Sequence, residues 1–197
     1  MRLVHVAAVF ILVGSTASAQ DLRAGITTGA AVPVGGIGFH EPALALSAWL
    51  TGPVRGAAGW RAEAGIVRFR LPMRDKFRCA AAGFFCDSDV PVGFVAGGFQ
   101  LEPQAGGVWA PYGYLTAGLY HITASAEVVD LRGGSTQPSI AWSDNAFGVA
   151  AGAGVRVALG NRWTVRAEVR YSGLAWRPGT QNWASLVTPA VSLSASF

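Results

Sequence analysis

Apolar and polar residues alternate without a break from Trp163 to Tyr171. Aromatic and aliphatic side chains share one face, whereas the other face consists of Thr164, Arg166, Glu168 and Arg170. A period of two residues is typical of a β-strand whose two faces have different surroundings. At about 3.3 Å per residue and a tilt of about 40°, the apolar face is roughly 20 Å tall. We predict a strand between lipid and a polar interior, with Trp163 and Tyr171 as an interface girdle.

Two other segments show the same alternation. The apolar face of the C-terminal segment consists of Val187, Val191, Leu193, Ala195 and Phe197. After Gly59, the apolar face consists of Trp60, Ala62, Ala64 and Ile66, and the charges of Arg61 and Glu63 share the opposite face. These segments therefore belong to the same kind of sheet as the strand beginning at Trp163.

Glycine, proline and polar residues divide the rest of the chain at regular intervals. We predict strands near residues 22–32, 43–51, 59–70, 91–102, 111–123, 145–159, 162–173 and 187–197. Propensity alone also allows a short helix at 43–50, and the even strand count decides for a strand there. Short and long connections alternate, as expected for a barrel with short periplasmic turns and long external loops. The predicted fold is all-β: an eight-stranded antiparallel up-and-down transmembrane β-barrel.

The N-terminus has the layout of a secretory signal peptide. Arg2 supplies a positive charge, an apolar core runs from Val6 to Val13, and Ala17-Ser18-Ala19 forms a small-residue cleavage site. The apolar core is shorter than the roughly 20 residues that a membrane helix requires. We therefore predict a signal peptide at residues 1–19 and one outer-membrane β-barrel domain at residues 20–197.

Composition supports a membrane location. The chain is 51% hydrophobic and only 13% charged, and this charged fraction is roughly half the usual one. A closed barrel is the bilayer-compatible solution for an apolar chain without spanning helices, because it pairs every backbone group between strands. The net charge of +4 is dispersed, which argues against nucleic acid as a partner. We expect outer-membrane lipid as a partner and the bacterial outer membrane as the location.

The charged residues of the alternating strands are predicted to meet inside the barrel. These residues are Arg61, Glu63, Arg166, Glu168 and Arg170. Because eight-stranded barrels have little interior room, side chains should fill the lumen as an ion-pair network. A conducting pore is the alternative. Acid/base catalysis by the two glutamates is disfavoured, because neighbouring arginines would hold each carboxylate ionised.

The sequence contains two cysteines, Cys79 and Cys86. An exported chain enters an oxidising compartment, so we predict a disulfide between these cysteines. It would contribute roughly 2 to 3 kcal/mol to stability on the chain-entropy model. A metal site is the competing hypothesis, but no histidine or further cysteine lies nearby to complete it. We predict no metal and no cofactor.

Several segments resemble the small outer-membrane β-barrel family, which includes the OmpA-type and OmpX-like eight-stranded barrels. The similarity is carried by Pro111–Tyr120, Phe147–Val157, the turn Gly160-Asn161, Thr164–Tyr171 and the terminal Phe197. The resemblance implies the architecture but no active site, because the family shares alternation and glycine placement rather than chemistry.

The resemblance also implies a partner for the last strand. In that family, a terminal aromatic residue after alternating hydrophobic residues is the signal for the outer-membrane assembly machinery. Val191, Leu193, Ala195 and Phe197 match this pattern. A role for Phe197 as an interface aromatic is compatible with the same pattern.

The predicted function is a structural or surface-interaction role with a side-chain-filled lumen. A small porin or channel is the first alternative, and a lipid A-modifying enzyme with a Ser/His/acid site is the second. His121-Ile122-Thr123 does not reproduce the His-x-Ser pairing of the deacylase barrels, so we predict no enzyme. The sequence does not show which face of the strand carries His121, because both faces of its strand are apolar.

Trp142, Trp176 and Trp183 lie in the predicted loops and suggest an extracellular ligand there, although an interface belt explains them equally well.

Overall fold

The computed structural model describes residues 22–35, 41–70, 73–103, 108–130, 132–133, 140–175 and 184–197. The predicted signal peptide lies outside the described residues, as do Trp176 and Trp183. The strands are β1 (Arg23–Gly35), β2 (Ala43–Arg55), β3 (Ala58–Arg70), β4 (Phe84–Leu101), β5 (Trp109–Asp130), β6 (Ile140–Leu159), β7 (Trp163–Ala175) and β8 (Ala184–Ser196). Each strand pairs with the next, and β8 pairs with β1, so all eight form one closed antiparallel barrel. The predicted fold class is confirmed.

The two ends of the barrel differ. At the turn end, tight turns follow β2 and β6, and the chain ends at Phe197. Gly56 and Gly160 have φ angles of 57° and 78° in these turns, a left-handed conformation that glycine adopts at little cost. The loop end is the opposite end. The connections after β3, β5 and β7 lie there and are longer than those at the turn end, as predicted, whereas the connection after β1 is no longer than the one after β4.

In the part of each strand that forms the barrel wall, side chains alternate between an outward and an inward face. In β7 the even-numbered residues from Thr164 to Ser172 are buried, and Trp163, Val169 and Tyr171 are exposed. The outward apolar residues form a belt: Ile26, Leu44, Leu46, Leu50, Ile66, Val95, Phe99, Leu101, Trp109, Leu115, Leu119, Phe147, Val149, Val155, Val157, Leu159, Trp163, Val169, Tyr171, Val191, Leu193 and Phe197. An apolar surface of this extent indicates contact with lipid or protein.

The interior has two chemically different halves. The turn half contains the buried charged, amide and aromatic residues Trp49, Arg61, Glu63, Gln100, Tyr112, Tyr114, Arg166, Glu168 and Arg170. The loop half is packed with apolar residues, namely Ala31, Ala43, Val67, Phe69, Val90, Val92, Ile122, Ala124, Ala146, Leu174, Ala184 and Leu186. Apolar residues therefore line the inside as well as the outside of the loop half, which explains why alternation is weak in the strands that build it.

The predicted loop between β3 and β4 contains a helix, α1 (Met73–Ala81). No glycine, proline or β-branched residue interrupts this segment, and Asp75 in the first turn and Arg78 in the last turn complement the helix dipole. Gly83, with a φ angle of 85°, terminates the helix and donates its N–H to the carbonyl oxygen of Ala80. In the described part of the chain, no helix has the length and apolarity needed to span a membrane.

Three strands extend far beyond their predicted bounds at the loop end, whereas β1, β7 and β8 are only two or three residues longer there. β4 starts at Phe84 rather than near residue 91, β5 continues to Asp130, and β6 begins at Ile140. Phe84 pairs with Asp130, and Ala126 pairs with Ile140. Residues 84–89, 124–130 and 140–145 thus form a three-stranded loop-end extension. No alternating pattern marks these residues, because this sheet does not separate a buried lumen from a uniform apolar exterior.

The predicted disulfide is confirmed, and it joins two elements rather than the two sides of a loop. Cys79 of α1 is bonded to Cys86 of β4, with Cα atoms 5.9 Å apart. Lys76 of the helix also forms an ion pair with Asp87 of β4, at 2.7 Å. Both contacts hold α1 against the loop-end extension.

Candidate functional site in the barrel lumen

An ion triad crosses the lumen between β3 and β7. Glu63 Oε1 lies 2.5 Å from Nη1 of Arg170, and Glu63 Oε2 accepts a hydrogen bond from Nε of Arg61 at 3.2 Å. All three side chains are buried. Three strands separate β3 from β7 in either direction around the barrel, so the Arg170–Glu63 pair joins opposite walls and obstructs the lumen.

Glu168, the other glutamate on a charged face, has different partners from those expected. It accepts hydrogen bonds from the hydroxyls of Tyr112, at 2.5 Å, and Tyr114, at 2.9 Å. Arginines therefore flank Glu63, whereas tyrosine hydroxyls bind Glu168. Sequence reasoning missed both tyrosines. Their spacing of two residues in β5 was the available signal, but an apolar face on each side of the strand concealed which face points inward.

The arginines stack on aromatic rings. The guanidinium carbon of Arg61 lies 4.1 Å from the ring centre of Tyr114, and that of Arg166 lies 4.3 Å from the ring centre of Trp49. Cation–π contacts of this kind are stronger when water is excluded. The indole N–H of Trp49 donates to Oγ1 of Thr27 at 3.1 Å. Guanidinium groups and aromatic rings therefore lie against one another inside the lumen.

Glycines on neighbouring strands make room for these rings. A Cβ atom added at Gly152 would overlap the ring of Tyr114, and one added at Gly25 would lie 2.5 Å from Cζ2 of Trp49. Neither position has space for a side chain, so the two rings pack directly on the backbone of the barrel wall. The small residues of these strands thus determine how completely the aromatic side chains fill the lumen.

Glu102 extends the network to the turn end. Its Oε1 lies 2.5 Å from Nη1 of Arg23 and 2.5 Å from Nε of Arg156, and its Oε2 lies 3.4 Å from Nη2 of Arg166. Gln100 donates to the same carboxylate at 2.9 Å. Sequence reasoning missed both residues. Gln100 lies in β4 and Glu102 directly follows this strand. The signal available in the sequence was their spacing of two residues, which places both side chains on one face.

The environment of Glu102 keeps its carboxyl ionised. Burial alone would raise its pKa, but the nearby guanidinium groups of Arg166, Arg23 and Arg156 outweigh burial and hold the pKa below its ordinary value. A lowered pKa in the folded state means that these ion pairs stabilise the protein above the ordinary glutamate range. This stabilisation is lost as the pH falls through the lowered pKa.

Two cavities flank the charged layer and share no lining residue. One, of about 220 Å³, lies at the turn end beside Arg23, Gln100, Glu102 and Arg156. The other, of about 30 Å³, lies between the network and the apolar loop half, beside Phe94 and Arg170. The second is large enough for only one or a few water molecules. The side chains between these cavities interrupt the passage through the barrel.

The other predicted site residues face outward. Trp163, the first residue of β7, and Tyr171, four residues before its last residue, are exposed, and the Tyr171 hydroxyl is 2.8 Å from Oγ of Ser185. In β8, Val191 and Leu193 are exposed and Ala195 is half-buried. Phe197 follows the strand, with its N–H donating to the carbonyl oxygen of Leu22. The four residues of the predicted assembly signal therefore line one edge of the outer belt at the β8–β1 closure.

His121 is exposed on the outward face of β5, which answers the question that the sequence left open. Its Nδ1 is 2.9 Å from Oδ1 of Asn145, an amide oxygen rather than the carboxylate of a catalytic triad. Within the described ranges, no group of three or more His, Cys, Asp or Glu side chains is arranged to hold a metal ion.

The closed eight-stranded barrel, its apolar outer belt and its charged interior are the features of the small outer-membrane barrel fold. No protein-family model matches the chain, and no curated protein matches its sequence.

Solved structures show the same fold. Neisserial surface protein A is 14% identical and superposes with a TM-score of 0.57 over 92% of this chain and 99% of that protein. A major outer membrane protein from Thermus thermophilus is 13% identical, with a TM-score of 0.55 over 89% of this chain and 99% of that protein. Ail, the attachment invasion locus protein of Yersinia pestis, is 14% identical, with a TM-score of 0.50 over 90% of this chain and 97% of that protein. The resemblance to small outer-membrane barrels is confirmed for the fold.

Proposed function

We propose that this protein is an outer-membrane barrel with a closed lumen that acts through its loop-end surface. Residues 1–19 direct export, the turn end lies in the periplasm, and the loop end faces the cell exterior. The row Val191, Leu193, Ala195 and Phe197 is the strand presented to the assembly machinery. The role is structural or adhesive rather than catalytic.

The outer belt supports the membrane location. Its exposed residues include Leu115, Val169 and Leu193, which are surrounded by further apolar side chains on neighbouring strands. In water such a belt would drive aggregation, whereas in a bilayer its apolar side chains contact lipid chains without a cost in free energy. Trp163, the first residue of β7, and Tyr171, eight residues further along the same face, correspond to the aromatic girdles at the membrane interfaces.

The proposal of a closed lumen rests on one observation: the Arg170–Glu63–Arg61 triad bridges opposite walls of the barrel. Aromatic rings fill the space beside the triad, and the apolar loop half lies above it. An ion would have to cross a charged constriction and then an apolar layer that offers it no ligands. This arrangement favours the filled lumen over the channel alternative.

The loop-end extension supports a role at the surface. It projects beyond β3, whose last residue Arg70 pairs with Asp89, and it carries the exposed side chains of Phe84, Phe85 and Trp142. The disulfide fixes α1 on this extension. Among the structural neighbours, Neisserial surface protein A is a surface protein, and Ail was solved with the heparin analogue sucrose octasulfate. A rigid, covalently tied surface beyond the membrane is suited to binding an extracellular partner.

Planar-bilayer recording tests the closed lumen. Because side chains obstruct the passage, the purified protein is expected to produce no steady unitary conductance at neutral pH. A general porin reconstituted in the same bilayer provides the detection control. Reproducible unitary steps from the folded protein would overturn the closed-lumen proposal and favour the small channel.

Retention of whole cells on heparin-coated beads tests the surface role. Arg70 and Arg78 are exposed at the loop end, so cells producing the R70Q/R78Q variant are expected to be retained severalfold less than cells producing the unmodified protein. R162Q replaces one exposed arginine at the turn end, on the periplasmic side, and should have no effect. The proposed surface role would be contradicted if cells producing the protein were retained no better than cells lacking it, or if R162Q lowered retention as much as R70Q/R78Q does.

A further inference from the structure

The lumen and its turn-end mouth contain more positive than negative charge. Among the described residues there, the charged side chains are five arginines and three glutamates: Arg23, Arg61, Arg156, Arg166, Arg170, Glu63, Glu102 and Glu168. This is an excess of two positive charges in a largely buried region. Buried charge without a counter-charge is costly, so an anion at this place would lower the free energy of the folded barrel.

The excess is concentrated around Glu102. This single carboxylate is shared by the guanidinium groups of Arg23, Arg156 and Arg166. Nε of Arg156 is buried and lies 2.5 Å from Glu102 Oε1, yet among the described residues it has no partner in hydrogen-bonding geometry. Arg156 therefore has an unused donor, and an unmade buried hydrogen bond to a charged group costs more than a neutral one.

A cavity lies beside these groups. It measures about 220 Å³, and its lining combines Arg23, Arg156, Gln100 and Glu102 with Thr51 and the backbone of the β2–β3 turn. This volume far exceeds that of one water molecule. The cavity is half-open at the turn end, so a solute in the surrounding water can reach it without passing the charged layer.

We propose that this cavity binds a small soluble oxyanion, a carboxylate or a phosphate, between Arg23 and Arg156. Guanidinium groups present paired N–H donors that match the oxygens of carboxylate and phosphate. A spherical halide satisfies fewer of these donors, so the site discriminates by geometry as well as by charge. The bound anion neutralises the excess positive charge and takes up the unused donor of Arg156.

Glu102 acts as an internal competitor in this site. Its carboxylate already occupies one side of the arginine cluster, which lowers the affinity for a second anion through like-charge repulsion. Conversion of Glu102 to the neutral, isosteric glutamine removes this repulsion and leaves the shape of the cavity unchanged. The affinity for an oxyanion therefore rises in E102Q and falls when either lining arginine is neutralised.

Titration of the detergent-solubilised full-length protein with inorganic phosphate, at constant ionic strength, tests the proposal. Calorimetry is expected to detect saturable binding that chloride does not reproduce. R156Q should weaken phosphate binding about tenfold or more, as expected for loss of a charged hydrogen bond. E102Q should strengthen it. R162Q, which neutralises an exposed arginine at the same end outside the cavity lining, is the matched control and should bind as the unmodified protein does.

Each variant is first checked for the folded form by its migration on gels with and without heating. If a folded R156Q sample binds phosphate as tightly as the control, or if chloride competes as well as phosphate, the oxyanion site is refuted. Absence of saturable binding by phosphate and acetate in both the unmodified protein and E102Q would refute it as well. None of these outcomes depends on the surface role of the loop end.

Discussion

Replacement of Glu63 by glutamine is expected to lower the free energy of unfolding by about 3 to 5 kcal/mol. The substitution leaves Arg61 and Arg170 buried without the carboxylate that both contact. Water does not readily replace the lost charge, because aromatic rings and the apolar loop half surround the triad. Urea-induced unfolding from phospholipid vesicles, followed by tryptophan fluorescence, measures the change.

E127Q is the matched control for this experiment. Glu127 is an exposed carboxylate in the loop-end extension, so its neutralisation should change stability by less than about 0.5 kcal/mol. The double variant E63Q/R170Q should lose less than the sum of the two single losses, because the second change removes a charge that the first left unpaired. Equal effects of E63Q and E127Q would show that the triad does not stabilise the barrel.

Substitution of Leu115 by arginine is expected to destabilise the folded barrel in vesicles by about 2 to 4 kcal/mol. Leu115 is 61% exposed and lies six residues beyond the first residue of β5. At about 3.3 Å per residue and a tilt of about 40°, it lies roughly 15 Å from the turn end, near the middle of a lipid-facing band. A guanidinium at that depth must displace lipid or distort the bilayer to remain hydrated.

L159R provides the depth control. Leu159 has the same side chain and is also exposed, but it is the last residue of β6 at the turn end. Near the interface, an arginine costs only about 0 to 1 kcal/mol. If both variants are equally stable in vesicles, or if L115R is recovered in aqueous solution without detergent, then the outer belt does not face lipid.

The alternation of apolar and polar residues in β7 and β8 predicted the type of fold and several of the residues that line the lumen. A strand between two different environments needs only local information, because successive side chains point to opposite faces. Arg166, Glu168 and Arg170 were therefore assigned correctly to one face of β7, and the buried faces in the structure agree. The same reasoning identified the outward row that ends at Phe197.

The structure decided what the strands contact across the barrel. The sequence does not specify which wall opposes β7, so it did not predict that Arg170 pairs with Glu63 or that Glu168 binds Tyr112 and Tyr114. These contacts depend on how the sheet closes and tilts, a property of all eight strands together. The three arginines that contact Glu102 likewise come from three different strands, β1, β6 and β7.

The loop end shows the same division between local and tertiary information. The sequence contained the cysteine pair, but not the helix and strand that the disulfide joins. Nor did it indicate how far β4, β5 and β6 extend at the loop end. The loop-end extension meets β3 only at the Arg70–Asp89 pair, does not separate a buried lumen from an apolar exterior, and so need not alternate. The sequence alone predicted a barrel and its two faces: the faces follow from a period of two, and the closed barrel follows from an apolar chain without spanning helices. Only the tertiary structure decided the ion triad, the arginine-lined cavity and the shape of the loop end, since each depends on groups brought together from distant strands.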